Sequence, residues 1–93
     1  MLKRELIATV ARRQSDLQVK DVDRMVRLIF AAMTKVLLEG GEIELRGFGS
    51  FRRRRYASRQ ARNPGTGEKV SLGPRQGVLF RAAREMKERL NAR

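Results

Sequence analysis

The chain has 93 residues, with 22 Lys and Arg against 10 Asp and Glu for a formal net charge of +12. That length makes one small domain, and setting aside an exposed arm leaves a body of about 70 residues, near the size at which one core is marginal and a partner chain relieves the shortage. The charge calls for a polyanion (duplex DNA, RNA or an anionic membrane), and the lack of cysteine excludes a disulfide framework and a Cys-based zinc site, in keeping with a reducing cytosol.

Near the start, Met1 is followed by Lys3, Arg4 and Glu5 with no apolar run long enough for a signal peptide or a membrane span, so the expectation is a soluble cytosolic chain. From Leu2 to Gln14, Leu2, Leu6, Ile7, Val10 and Ala11 form one helical stripe. Ser15 and Asp16 break it. A second, longer helix begins near Lys20 and carries Val22, Met25, Val26, Ile29, Phe30, Met33, Val36 and Leu37. Asp21 and Asp23 complement the positive end of its dipole, and Gly40 with Gly41 stops it. Neither helix shows the Asn, Gln and Ser cluster of a helix that reads base edges, which argues against a helix-turn-helix reader.

Glu42 to Arg46 alternates polar and apolar as a half-buried strand does. The glycines of GFGSF let the backbone turn while Phe48 and Phe51 enter a core; the spacing of a dinucleotide-binding loop is missing. Arg52, Arg53, Arg54 and Arg55 lead to Tyr56 as an extended strand that sends arginines to both faces of a ribbon. The stretch RQARNPGTGEK holds the strongest turn signal in the chain: Asn63 can bond its own backbone, Pro64 fixes φ and Gly65 tolerates positive φ. Residues 52–69 carry a net +6, half of the total charge, on this hairpin. Val70 and Leu72 return as a weak strand, Gly73 and Pro74 interrupt it, and Val78, Leu79 and Phe80 add a short apolar segment. A final helix is expected from Arg81 to Leu90, with Ala82, Ala83, Met86 and Leu90 on one side.

RGFGSF together with RNPGTGE resembles the bacterial HU and integration host factor family of nucleoid proteins, and the order of elements matches that family over essentially the whole chain. Ile43, Glu44, Leu45 and Arg46 ahead of GFGSF lean toward the integration host factor side. Ala61, Ala83 and Val78 depart from the family pattern, where glycine, glycine and proline are usual. The resemblance implies an α+β fold with two N-terminal helices, a three-stranded antiparallel sheet with a long protruding β-hairpin arm, and a short C-terminal helix, assembled as an intertwined dimer. The expected single domain spans residues 1–93, divided into a helical dimerisation part (1–41), the sheet and DNA-binding arm (42–74) and a C-terminal segment with its helix (75–93).

By resemblance the protein binds and bends duplex DNA in the minor groove, with Pro64 as the intercalating wedge and Arg59, Arg62, Asn63 and Lys69 along the arm. Arg46, Arg52, Arg53, Arg54, Arg55 and Arg75 are candidates for contacts nearer the body; Lys3, Arg81, Arg84 and Lys87 are candidates for the flanks. Expected partners are double-stranded DNA and an identical or related subunit in the nucleoid, with no cofactor, metal, membrane or small-molecule substrate. The main rival is a basic α+β RNA-binding protein, disfavoured because Tyr56 is the only tyrosine and offers no stacking pair. An enzyme is disfavoured by the lack of histidine and cysteine, and a membrane-surface helix by the strand character of the most basic segment.

Overall fold

The computed structural model describes residues 1–92, and Arg93 lies outside the described residues. The chain forms two compact units, Met1–Lys35 and a second one starting at Val36, so the boundary falls inside the second helix.

In the first unit, α1 (Lys3–Arg13) starts after an extended Leu2, whose carbonyl accepts the N–H groups of Glu5 and Leu6 at 3.0 and 3.1 Å. The predicted stripe does what its spacing requires. Leu6, Val10 and Ala11 pack with Leu17 around Ile7, Val22 and Val26, the only buried hydrophobic side chains among the described residues. α2 (Val19–Leu38) carries a wider apolar surface than that core consumes, leaving Met25 47%, Ile29 58% and Phe30 44% exposed. An apolar groove of about 440 Å³ runs beside these residues, lined also by Leu6, Val10 and Leu17. Among the described residues, no helix is long and apolar enough to cross a membrane.

The second unit opens on the end of α2. Gly40 adopts φ +82°, its N–H donates to the Leu37 carbonyl at 3.1 Å, and the Gly41 N–H donates to Val36 at 2.9 Å. This is the Schellman arrangement, which satisfies two of the helix's last carbonyls and needs a residue tolerant of positive φ at Gly40. A third carbonyl, that of Leu38, accepts from Arg53 Nη1 at 3.2 Å, which also sets a cation at the negative end of the helix dipole.

Three strands follow in the order β1–β2–β5, all antiparallel: β1 (Ile43–Leu45), β2 (Gly49–Tyr56) and β5 (Arg75–Ala82). The first hairpin turns through Arg46 and Gly47, closed by the Phe48 N–H on the Leu45 carbonyl at 2.9 Å, with Gly47 at φ +79°. Gly49 is required for a different reason. A Cβ there would stand 2.5 Å from the Phe80 ring and 2.6 Å from the Arg81 carbonyl.

Register decides the faces of this sheet. Ile43 opposes Phe51, which opposes Phe80, while Arg53 opposes Val78. These residues share one face. There the Phe51 and Phe80 ring centroids stand 4.8 Å apart, with Phe48 at 6.5 and 5.6 Å from them. The other face carries Ser50, Arg52, Arg54 and Tyr56 from β2, opposite Arg81, Leu79, Gly77 and Arg75 from β5.

Beyond the β2–β5 ladder the chain pairs again as a separate two-stranded ribbon, β3 (Arg59–Arg62) with β4 (Lys69–Leu72). The break at Gly73 and Pro74 that the sequence predicts is present, and Ala57 and Ser58 interrupt the opposite strand.

Two boundaries differ from expectation. The strand predicted over Glu42–Arg46 is confined to Ile43–Leu45, because Arg46 is taken into the turn. The last helix, α3, runs from Arg84 to Leu90 rather than from Arg81, because Arg81 and Ala82 pair with Ser50 and Gly49 as the end of β5. Ala83 is held extended (φ −67°, ψ 157°) with its N–H on the Phe48 carbonyl at 2.9 Å.

Arg53→Ala is expected to cost about 1 kcal/mol, by loss of the carbonyl and dipole interactions at the end of α2. Gly49→Ala is expected to cost more, about 1–3 kcal/mol, by overpacking against Phe80. Chemical denaturation of both variants beside the parent protein checks the order.

Candidate nucleic-acid interface

Strand alternation and antiparallel register together place Arg52, Arg54, Arg75 and Arg81 on a single sheet face, away from the phenylalanine rings. At one end of this face, Arg46, Arg81 and Lys87 line a depression of about 370 Å³ with Glu44, Ser50 and Ala83. Three cations therefore surround the β1–β2 turn and the start of α3. At the other end, Tyr56 forms the last rung of the ladder opposite Arg75. The guanidinium carbons of Arg54 and Arg75 lie over its ring at 5.2 and 5.6 Å from the centroid, within the range of attraction between a cation and an aromatic face. Arg55 and Arg75 line a further concavity with Pro74 and Gln76.

The β3–β4 ribbon is exposed except for partial burial of Ala61 and Leu72. Its register sets Arg59 opposite Leu72 and Arg62 opposite Lys69, so Arg59 shares a face with Ala61, Val70 and Leu72, and Arg62 with Gln60, Lys69 and Ser71. At the tip, Asn63 is the organising residue. Its N–H donates to the Glu68 carbonyl at 2.8 Å, its carbonyl accepts the Gly67 N–H at 2.7 Å, and its side-chain Oδ1 accepts the Gly65 N–H at 2.8 Å. That last bond is the local side-chain turn that the sequence predicts for Asn63. It leaves Pro64 exposed in the turn between β3 and β4.

The described residues contain no group of His, Cys, Asp and Glu side chains arranged to hold a metal ion.

A model of the family described as bacterial DNA-binding protein matches residues 1–91. The chain belongs to this family, which takes in the HU and integration host factor proteins. It is 44% identical over 91 residues to the integration host factor subunit beta of Teredinibacter turnerae, covering 98% of this chain and 93% of that one. It is also 44% identical to the corresponding subunit of Dechloromonas aromatica, covering 98% and 97% of the two chains. Among solved structures, the Anabaena HU–DNA cocrystal structure superimposes with a TM-score of 0.88 at 29% identity, covering all of both chains. The family is one of non-enzymatic, architectural DNA-binding proteins. Its HU members share the order of two helices, antiparallel sheet and C-terminal helix found here.

Of the residues singled out from sequence, the structure gathers Arg46, Arg81 and Lys87 at one end of the cationic face, and Arg54, Arg55 and Arg75 at the root of the ribbon. Arg52 lies between these groups on the same face as Arg54. Arg59, Arg62, Asn63, Pro64 and Lys69 fall on the ribbon and its tip. Two are engaged elsewhere: Arg53 binds Leu38, and Arg84 pairs with Glu88 at 3.0 Å. Lys3 opens α1 in the first unit. Sequence reasoning missed Tyr56 as a member of this surface. The signal was its position two residues after Arg54, but its partner Arg75 needed the register.

An isolated two-stranded hairpin is marginal in water. Amide exchange in β3 and β4 is therefore expected to be faster than at Phe51 and Phe80 in free protein, and hydrogen-exchange mass spectrometry resolves the two segments.

Proposed function

We propose that this protein works as a dimer that grips duplex DNA with its β3–β4 arms in the minor groove and bends it, Pro64 being the wedge at each tip. The observation that carries this reading is the segregation of the sheet, with Arg52, Arg54, Arg75 and Arg81 on one face and the phenylalanines on the other. A continuous line of guanidinium groups suits phosphates, from which each neutralised charge releases counterions. Smooth bending of a site costs about 1–6 kcal/mol, and phosphate contacts along the sheet face and its two ends offset that cost. The proposed phosphate ligands are Arg46, Arg52, Arg54, Arg75, Arg81 and Lys87, with Lys3 and Arg84 on the flanks; Arg55, on the opposite face, is within reach of DNA only at the root of the ribbon, where the sheet ends. Arg59, Arg62, Asn63 and Lys69 follow the groove. Arg53 is assigned instead to holding the end of α2, where its guanidinium already sits.

Pro64 has no N–H to satisfy, and the Asn63 bonds hold the turn around it while its ring stays exposed, as inserting an apolar wedge between base steps demands. Division of labour follows the expected parts: residues 1–41 dimerise, 42–74 form the sheet and arm, and 75–93 complete the sheet and flank the DNA. Dimerisation is supported by the exposure of Met25, Ile29 and Phe30 and by the half-exposed rings of Phe48 and Phe80. The partner is a second copy or a related subunit. The setting is the cytoplasmic nucleoid, where such bends compact DNA or assist nucleoprotein assembly.

Sedimentation at micromolar concentration should give a dimer for the chain alone or with its related subunit. A folded monomer in both preparations contradicts this part. Pro64→Ala is expected to remove much of the bend, read by end-to-end energy transfer, with a modest loss of affinity. Arg59→Ala combined with Arg62→Ala should lower affinity and flatten the slope of log K against log salt by about one unit per phosphate left without its cation. Unchanged bending by Pro64→Ala would make the proline only a turn residue, and equal affinity for double-stranded RNA in competition would favour the RNA-binding alternative.

A further inference from the structure

Tyr56 is the only tyrosine in a chain without tryptophan, and its neighbours are unusual for an aromatic ring. It stands at the last rung of the β2–β5 ladder, half-buried, opposite Arg75. Arg54 lies two residues earlier on the same face, and the residue opposite Arg54 is Gly77. The ring leans over this glycine: a Cβ at Gly77 would come within 3.1 Å of Tyr56 Cε2. Both flanking guanidinium carbons lie over the ring, at 5.2 and 5.6 Å from its centroid. Two like charges brought to one place repel each other, and the negative face of an aromatic ring is the feature here that offsets the repulsion. A ring placed only for burial would sit among apolar side chains. This one sits between two arginines and a glycine.

We propose that Tyr56 is the positioning residue of a two-arginine clamp, in which Arg54 and Arg75 bracket one backbone phosphate where the duplex passes the root of the arm. The inference rests on the DNA-binding reading above. Its physical basis is preorganisation. A free arginine loses rotamer freedom when it binds a phosphate, and a ring that already restricts both guanidinium groups removes part of that cost before DNA arrives. The clamp also has a defined place: beyond the Tyr56–Arg75 rung the ladder stops, so Arg54 and Arg75 are the last cations on this face of the sheet before the chain continues into the ribbon.

The test uses the full chain with its dimer partner and a duplex, over a salt series. Tyr56→Phe keeps the ring and is expected to bind within about twofold of the parent; Tyr56→Leu keeps apolar bulk without the ring and should bind about three- to tenfold more weakly, with a shallower salt slope. In the background of Arg54→Ala with Arg75→Ala, the leucine substitution should cost little more, because ring and arginines act as one unit. Ring-current shifts of the Arg54 and Arg75 δ protons in the free protein supply a readout independent of any variant's folding. Leucine and phenylalanine variants with equal affinity and slope would overturn the clamp, as would a full leucine effect without the two arginines or unshifted δ protons in the parent. These outcomes leave DNA binding itself intact. Failure of the parent to bind duplex in a salt-dependent way would instead remove the reading on which the clamp depends.

Discussion

Everything the second unit presents to a partner depends on the pairing of β2 with β5. Side chains alternate along a strand, so a slip of one residue would exchange the two faces and bury arginines where the phenylalanines now pack. The register is pinned at three points. Phe51 meets Phe80 in the middle of the ladder. Gly49 admits the Phe80 ring and the Arg81 carbonyl at one end, and Gly77 lies under the Tyr56 ring at the other. Each contact fails if the strands shift, and together they turn a run of four arginines into a sorted surface. Arg52 and Arg54 face one way; Arg53 and Arg55 face the other.

A second constraint is the small amount of apolar surface that one chain covers. Three buried hydrophobic side chains among the described residues are few for a chain of this length, and the apolar width of α2 goes beyond what α1 covers. The chain manages its helix end internally, with the glycine pair and Arg53 satisfying three terminal carbonyls in succession. Its apolar faces, by contrast, stay partly exposed at Met25, Ile29, Phe30, Phe48 and Phe80. Dimerisation and DNA binding are therefore coupled in the proposed reading, since a stable sheet face is a precondition for an ordered line of cations.

Much of this was legible in the sequence, for identifiable reasons. The helical stripe through Leu6, Ile7 and Val10, the glycine stop after α2, the turn at Asn63 and the break at Gly73 and Pro74 are local signals, and the structure follows them. The end of β5 was not local. Arg81 and Ala82 carry helix-compatible residues, and only pairing with Ser50 and Gly49 across the sheet holds them extended. The role of Arg53 was equally hidden, because nothing in a run of four arginines marks the one that meets the Leu38 carbonyl, 15 residues away in sequence. Tyr56 likewise acquires its meaning from Arg75 across the ladder.

In the proposed reading, strand register, more than the number of arginines, decides which cations meet DNA. The most direct measurement is the salt dependence of duplex binding for two proteins that differ in face: one with Arg52→Ala and Arg81→Ala, the other with Arg53→Ala alone. The first is expected to flatten log K against log salt by about one unit for each phosphate that is no longer neutralised, while the second keeps the parent slope. A parent slope in the first variant, or a flattened slope in the second, would contradict it.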